Sequence, residues 1–362
     1  MEITDVRVDA LRAPLESELG DARASVTERY WVVVELDTDA GLTGTGWIST
    51  WRVPDLLARY AREFSDLLVG ADPFATEELR AAMRERTLYY PGELGFSAHP
   101  RSAIDVACWD VKAQRAGVPL YRLLGGEDRE VPAYCSRLDA GDDLETLVER
   151  HAEQADRGFT AFKTKVGARS LEADLDRVDA LREALGPDVE ILVDANQAWT
   201  VAEARRAVAA LAERDVGWVE EPVSEFDVDG YRRVAAAATV PVASGEMFYR
   251  PERLRYLLDA DAVDVAQPDL IRGGGVTGLR AVASLAESRG VAFAPHVNYA
   301  VSAHLVSAAP NGLYAEYIPE YDASPLLASG PTVRDGRVVL PAEPGHGCRI
   351  DPDAREAHRI DG

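Results

Sequence analysis

From about residue 131 the chain repeats one pattern eight times: a short β-branched run, followed in all but the last case by helical or loop sequence. The runs are VPAYC, TAFKTKV, VEILVDA, GWVEEP, VPVASGE, AVDVAQP, VAFAPH and GLYAEY. Between them lie stretches such as LEADLDRVDALREALG and VAEARRAVAALAERDVG, whose apolar residues recur at helical spacing. Eight strand–helix units in series favour a (β/α)8-type barrel, an α/β fold, over an open sheet. No nucleotide-binding glycine turn opens the series. GGGVTG (residues 273–278) follows the sixth run and reads as a tight turn feeding a helix N-terminus.

The flanks have another texture. Residues 27–47 alternate and turn at DTDAG, which predicts a hairpin, and residues 53–86 are helical in spacing. Strands followed by helices in one block suggest a small α+β unit. The tail is turn-rich and strand-like, and is expected to pack back on that unit. The expected division is 1–125, an N-terminal α+β capping domain; 126–322, the barrel; and 323–362, a returning C-terminal segment.

Net charge is −23, which opposes nucleic-acid and anionic-membrane partners by repulsion. The N-terminus lacks the basic and apolar regions of a signal peptide and no apolar run approaches membrane-spanning length, so a cytoplasmic location is expected. Three widely spaced cysteines without CxxC argue against a disulfide framework and a zinc site. Lysine occurs only at Lys112, Lys163 and Lys165, so arginine supplies the other 36 of the 39 basic residues. Acidic excess with scarce lysine fits either a high-salt cytoplasm or a GC-rich genome.

In such barrels chemistry sits at the C-terminal ends of the strands. The charged residues ending the runs are Lys163 and Lys165, Asp194, Glu220 or Glu221, Glu246, Asp269, His296 and Glu316, and from Lys165 onward they are separated by 20–29 residues. One βα unit has this length, so they converge on one mouth. Taken singly, each carboxylate could be an ion pair or a helix cap. Three on consecutive strands, Asp194, Glu220 and Glu246, repel one another unless a hard cation such as Mg²⁺ takes their oxygens. Lys163 and Lys165 share one face of their strand, and beside a cation an ammonium pKa falls toward the range of a base. Arginine could hold an ion pair equally well but could not serve as that base. Asp269 can orient His296 for proton transfer. His99, His151, His304, His346 and His358 are read as structural, His304 as facing the core.

The chain resembles the mandelate racemase subgroup of the enolase superfamily (the mandelate racemase/muconate lactonizing enzyme family) over nearly its whole length. The carrying motifs are SAIDVACWDVKAQRAGVPLYRLLGG, FKTKVG, VDANQAW, WVEEP, SGE, QPD and APH. The resemblance implies a modified TIM barrel with a capping domain. It implies Mg²⁺ on Asp194, Glu220 (not Glu221) and Glu246, and Lys165 as base with Lys163 at the substrate carboxylate. His296, oriented by Asp269, would be acid or base on the opposite face. Glu316 would hydrogen-bond a carboxylate turning into an enediolate, and Asn196 would contact substrate oxygens. Loops at 15–26 and 47–53 would close over the substrate, and the family suggests a symmetric homo-oligomer.

The shared step is removal of a proton α to a carboxylate. Loss of a β-hydroxyl then gives a 2-keto-3-deoxy acid from a C5 or C6 aldonate or aldarate, which is the expected outcome. Return of a proton on the other face gives racemisation or epimerisation, and a barrel that binds anion or metal without turnover is a third possibility. The muconate-lactonising and dipeptide-epimerase type needs a lysine at the end of the sixth run, where this chain has Asp269. Enolase itself lacks the K-x-K strand and the Asp–His pair.

Overall fold

The hairpin expected across residues 27–47 forms, and a third strand joins it. The structure, a computed structural model, describes residues 1–20, 25–322 and 324–360, without the side chains of residues 13–19 and 91. Strands β1 (Ile3–Gly20), β2 (Ser25–Thr38) and β3 (Thr43–Thr50) make an antiparallel sheet in that order. Val32, Val34, Leu36 and Ile48 are fully buried. One face lies on the helix Ala98–Ala116, and the approach is close. A Cβ at Gly44 would stand 2.1 Å from the Ala107 carbonyl oxygen, so only glycine permits this contact.

The eight β-branched runs form eight strands. They are β4 (Glu130–Ser136), β5 (Ala161–Lys165), β6 (Glu190–Asp194), β7 (Val216–Glu220), β8 (Val242–Ser244), β9 (Val265–Ala266), β10 (Ala292–Phe293) and β11 (Ala315–Tyr317). Each pairs in parallel with the next from β4 to β10, and β11 returns to pair with β4. The ring closes where Leu313 N and Phe293 N donate to Phe293 O and Asn311 O, both at 2.8 Å. Period-two alternation sorts the residues. Ala161, Leu192, Trp218 and Ala243 pack inside the ring, whereas Phe162, Ile191 and Val219 face the surrounding helices.

The tail divides between the two units. β12 (Leu327–Ser329) pairs with β15 (Arg349–Ile350), while β13 (Thr332–Arg334) and β14 (Arg337–Val339) form a hairpin that pairs antiparallel with β4. That hairpin therefore lies on the barrel, not on the N-terminal unit. Residues further on reach the N-terminal sheet: His346 Nε2 meets Thr45 O at 2.7 Å and Arg355 donates to Glu35 at 2.6 Å. Among the described residues no helix is long and apolar enough to cross a membrane.

GGGVTG opens the helix Gly275–Glu287, as the sequence suggested, and its environment explains the glycines. The helix N-terminus receives a carboxylate from the other unit. Asp105 accepts from Thr277 N at 2.9 Å and from Thr277 Oγ1 at 2.5 Å, and Trp109 Nε1 donates to the same hydroxyl at 2.8 Å. A Cβ on Gly275, whose φ is +69°, would fall 2.5 Å from Asp105 Oδ2. A protein carboxylate thus fills the position that a phosphate would take. The third lysine, Lys112, belongs to the same joint, with Nζ 4.1 Å from the Trp109 ring centroid. Replacing Thr277 by valine removes the hydroxyl from a buried network and should cost about 1–3 kcal/mol. Denaturant unfolding checks this, and an unchanged midpoint would show that the Asp105 contact does not hold the units together.

Candidate active site

Register places the chemistry. Lys165 pairs with Asp194 across β5 and β6, and Asp194 pairs with Glu220 across β6 and β7, so three charged side chains end neighbouring strands at one level. Glu246 follows β8 by two residues, and Asp269 and His296 face each other in an isolated parallel bridge. Lys163 and Lys165 continue the inward face that Ala161 begins, as their spacing predicted. Around the ring, β5 and β9 lie four strands apart, so the lysines and the Asp269–His296 pair stand on opposite sides of the mouth.

The backbone is strained where these strands end. Asn196 (φ +42°), Gln197 (+63°), Glu221 (+40°), Val297 (+42°) and Asn298 (+51°) adopt left-handed conformations directly after Asp194, Glu220 and His296. Such residues cost about 1–3 kcal/mol each and persist where the surroundings impose them. The strain turns the chain sharply while the carboxylates and imidazole stay aimed inward.

The charges form one buried network. Lys165 Nζ donates to Asp194 Oδ2 at 2.6 Å. Lys163 Nζ lies 2.8 Å from both Glu220 Oε2 and Glu316 Oε1. His296 Nδ1 is 2.9 Å from Asp269 Oδ2, and its Nε2 is 3.1 Å from Glu246 Oε2. Two partners were not picked out in the sequence: Arg272, 3.3 Å from Glu246 Oε1, and Gln267, which donates to Glu220 Oε2 at 2.8 Å. Both follow short strands on turns that carry no periodic signal.

Crowding sets the protonation states. Burial and the neighbouring Asp194 push Glu220 up to about 7, although Lys163 opposes this. Burial also opposes charge on Lys165, but Asp194 outweighs it and holds the ammonium above its ordinary range. Burial likewise disfavours ionised Glu316, yet Lys163 and His296 bring it down to about 2. It accepts from Val297 N at 2.8 Å as well as from Lys163, so toward its protein partners it is an acceptor.

The carboxylates fit a cation. Asp194, Glu220 and Glu246 each offer an oxygen, and the three oxygens lie within 4.8 Å of one another. Glu220 Oε1 is buried and has no hydrogen-bond partner in the protein. An open anionic oxygen, a half-neutralised glutamate and an all-oxygen donor set suit a hard divalent ion. Glu221 is buried too but lies outside the trio, and it accepts from Gln197 Nε2 at 2.9 Å.

A cavity of about 390 Å³ lies above the network. Lys165, Asn196, Glu246, Asp269, His296 and Glu316 line it from the barrel, and Trp47, Ser49 and Thr50 of β3 with Trp51 and Arg52 of the bend after it line it from the N-terminal unit. The loop expected to close at 47–53 does border the cavity. Of the loop expected at 15–26, residues 21–24 and the side chains of 15–19 lie outside the described residues. His151, His304 and His346 are buried and hydrogen-bonded as structural groups. His99, read as structural, lines the cavity instead.

A capped barrel with carboxylates, lysines and an Asp–His pair at one mouth has the architecture of the enolase superfamily. Residues 3–125 match the model of the mandelate racemase / muconate lactonizing enzyme N-terminal domain, and residues 146–354 match that of the enolase C-terminal domain-like region. The chain belongs to the mandelate racemase/muconate lactonizing enzyme family. It is 35% identical to the 3,6-anhydro-alpha-L-galactonate cycloisomerase of Streptomyces coelicolor, over 96% of this chain and 97% of that one. A racemase from the same organism, solved with bound magnesium, superposes with a TM-score of 0.93 at 32% identity, covering 99% of this chain and all of the other. The L-talarate/galactarate dehydratase of Salmonella typhimurium, solved with Mg and L-lyxarohydroxamate, also superposes with a TM-score of 0.93, at 29% identity over 99% and 93% of the two chains.

Burial opposes charge on His296, but Glu246 and Asp269 outweigh it and raise its pKa from 6.5 to about 9. In the metal-free protein the charged imidazole therefore contributes stability in full below about pH 6.5, and this is lost as pH rises through about 9. Asp269→Asn removes a negative partner and should move the His296 titration down toward 6.5, read by NMR of the imidazole. An unmoved midpoint would contradict the pairing.

Proposed function

We propose that this chain removes the proton α to the carboxylate of a sugar acid and expels the oxygen on the β carbon, giving a 2-keto-3-deoxy acid. The observation that carries the reading is the placement of Lys165 and of the Asp269–His296 pair on opposite sides of one cavity, over a carboxylate trio. Asp194, Glu220 and Glu246 would hold Mg²⁺, which when bound supplies positive charge beside the substrate carboxylate as negative charge develops there.

The protein groups do the rest. With the trio's charge offset, Asp194 no longer secures the Lys165 ammonium, and the amine becomes available as the base. Lys163, fixed by Glu220 and Glu316, presents a positive charge to the substrate carboxylate. Glu316 is ionised alone. A second carboxylate entering beside it favours uptake of one proton from solvent as the substrate binds, and Glu316, carrying that proton, then donates a hydrogen bond to the developing enediolate. Asn196 contacts a substrate oxygen. His296, held through Nδ1 by Asp269, protonates the departing β-oxygen from Nε2.

Loss of a hydroxyl from an aldonate or aldarate is dehydration. The similarity to a cycloisomerase favours a second outcome of the same step, in which the departing oxygen belongs to a ring that opens. Return of a proton by His296 would give racemisation or epimerisation. As part of this reading we take the chain as a capping domain (1–125), a barrel (126–322) and a returning segment (323–362), acting in the cytoplasm as a homo-oligomer.

C5 and C6 aldonates, aldarates and their lactones should be incubated with Mg²⁺ in D₂O, with α-proton exchange followed by NMR and keto acid by carbonyl derivatisation. Exchange with accumulation of keto acid is expected, and Lys165→Ala should lower it by roughly 10²–10⁴-fold. Inverted configuration without keto acid selects the racemase. No exchange from any of these acids sinks the proposal.

A further inference from the structure

One polar side chain on the cavity wall has no part in the chemistry above. His99 stands in the first turn of the helix Ala98–Ala116, where the N-terminal unit meets the barrel, beside Arg272. Its ring lies nearly parallel to that of Tyr249, with centroids 6.0 Å apart and planes 15° from each other, so packing fixes its orientation. Both ring nitrogens are shut off from solvent and neither has a hydrogen-bond partner. The other described histidines each engage at least one ring nitrogen: His151 with Leu147 O, His296 with Asp269, His304 with Tyr121 N, His346 with Thr45 O and His358 with Arg12 O.

An unpaired buried donor or acceptor is destabilising, and native proteins keep few of them. Phenylalanine would preserve the stack on Tyr249 without that penalty. Packing therefore gives no reason for an imidazole here, and a ligand does. Burial, reinforced by the positive charge of Arg272, brings the His99 pKa down to about 4, so the ring is neutral. A neutral imidazole carries one donor and one acceptor. A carboxylate offers only acceptors and an ammonium only donors, whereas a hydroxyl offers both.

Resting on the sugar-acid reading above, we propose that His99 is a specificity-determining residue that hydrogen-bonds a hydroxyl of the substrate chain beyond the reacting carbons. The residue is partly exposed while its nitrogens are not, so the contact forms as the wall adjusts around the substrate. It would select polyhydroxylated acids over short hydroxy acids, because a site built for a hydroxyl discriminates strongly against a ligand that lacks it.

The test measures dissociation constants by calorimetry with Mg²⁺ present, in a Lys165→Ala background that blocks turnover. The ligands are D-gluconate, D-galactonate and galactarate, with D-glycerate as the acid that lacks the outer hydroxyls. His99→Phe should weaken the tightest of the three long acids by roughly tenfold or more, leave D-glycerate within about twofold, and not lower the melting temperature of the ligand-free protein. His99→Gln, which restores a donor and an acceptor, should recover part of the affinity. Equal weakening of long and short acids, or no weakening of any long acid, whatever the melting temperature does, shows that His99 makes no contact with the outer hydroxyls and overturns the proposal. Binding that follows the expected pattern without α-proton exchange in the wild type rejects the reaction but keeps the contact. Failure of wild type to bind any long acid rejects both.

Discussion

Carboxylates crowded at the mouth of a barrel must be reconciled with burial, and much of this structure follows from how that is done. Asp194, Glu220, Glu246, Asp269 and Glu316 are all buried within one network of ion pairs and hydrogen bonds. Lys163, Lys165, Arg272 and His296 are interleaved among them, each within 3.3 Å of at least one carboxylate oxygen. Removing one partner from such a set would leave a desolvated charge, which is strongly destabilising. Even so the set is incomplete. Glu220 keeps one oxygen unpaired and is pushed up to about 7, so negative charge remains in excess at the position where three strands converge.

The scaffold makes this possible by separating stability from chemistry. Inside the ring, Tyr134, Leu192 and Trp218 fill the floor, and Asp194 and Glu220 stand two positions beyond Leu192 and Trp218 on the same inward faces. The strand ends then turn through left-handed residues, which costs conformational energy but aims the side chains. The N-terminal sheet roofs the cavity. It is held by a joint remote from the chemistry, where Asp105 occupies the N-terminus of the helix Gly275–Glu287. The turn that feeds this helix also carries Asp269 and Arg272, so the same joint steadies one wall of the site.

Much of this was legible in the sequence, for identifiable reasons. Alternation and helical spacing are local signals, and they located all eight barrel strands and the hairpin of β2 and β3. Strand-end position converted that periodicity into a site, since Lys163, Lys165, Asp194, Glu220, Glu246, Asp269, His296 and Glu316 do meet. What escaped lacks a local signal. Arg272 and Gln267 both follow the two-residue strand β9, and their partners lie 26 and 47 residues away. The hairpin of β13 and β14 looked like part of the returning tail, but its edge pairing with β4 depends on a neighbour that sequence does not indicate. The unpaired ring nitrogens of His99 are likewise a property of its three-dimensional surroundings that no local pattern carries.

The central claim is that the buried carboxylates keep Lys165 charged until a divalent cation offsets them. The composition makes this measurable, since lysine occurs only at Lys112, Lys163 and Lys165. Selective ¹³C labelling of the lysine ε carbons yields three titrating signals, assigned by single substitutions, with and without Mg²⁺. The account predicts that Mg²⁺ lowers the titration midpoint of Lys165 by at least one pH unit, while that of Lys112, at the distant joint, stays in place. A Lys165 midpoint that is the same in both conditions, with Mg²⁺ bound, would contradict it.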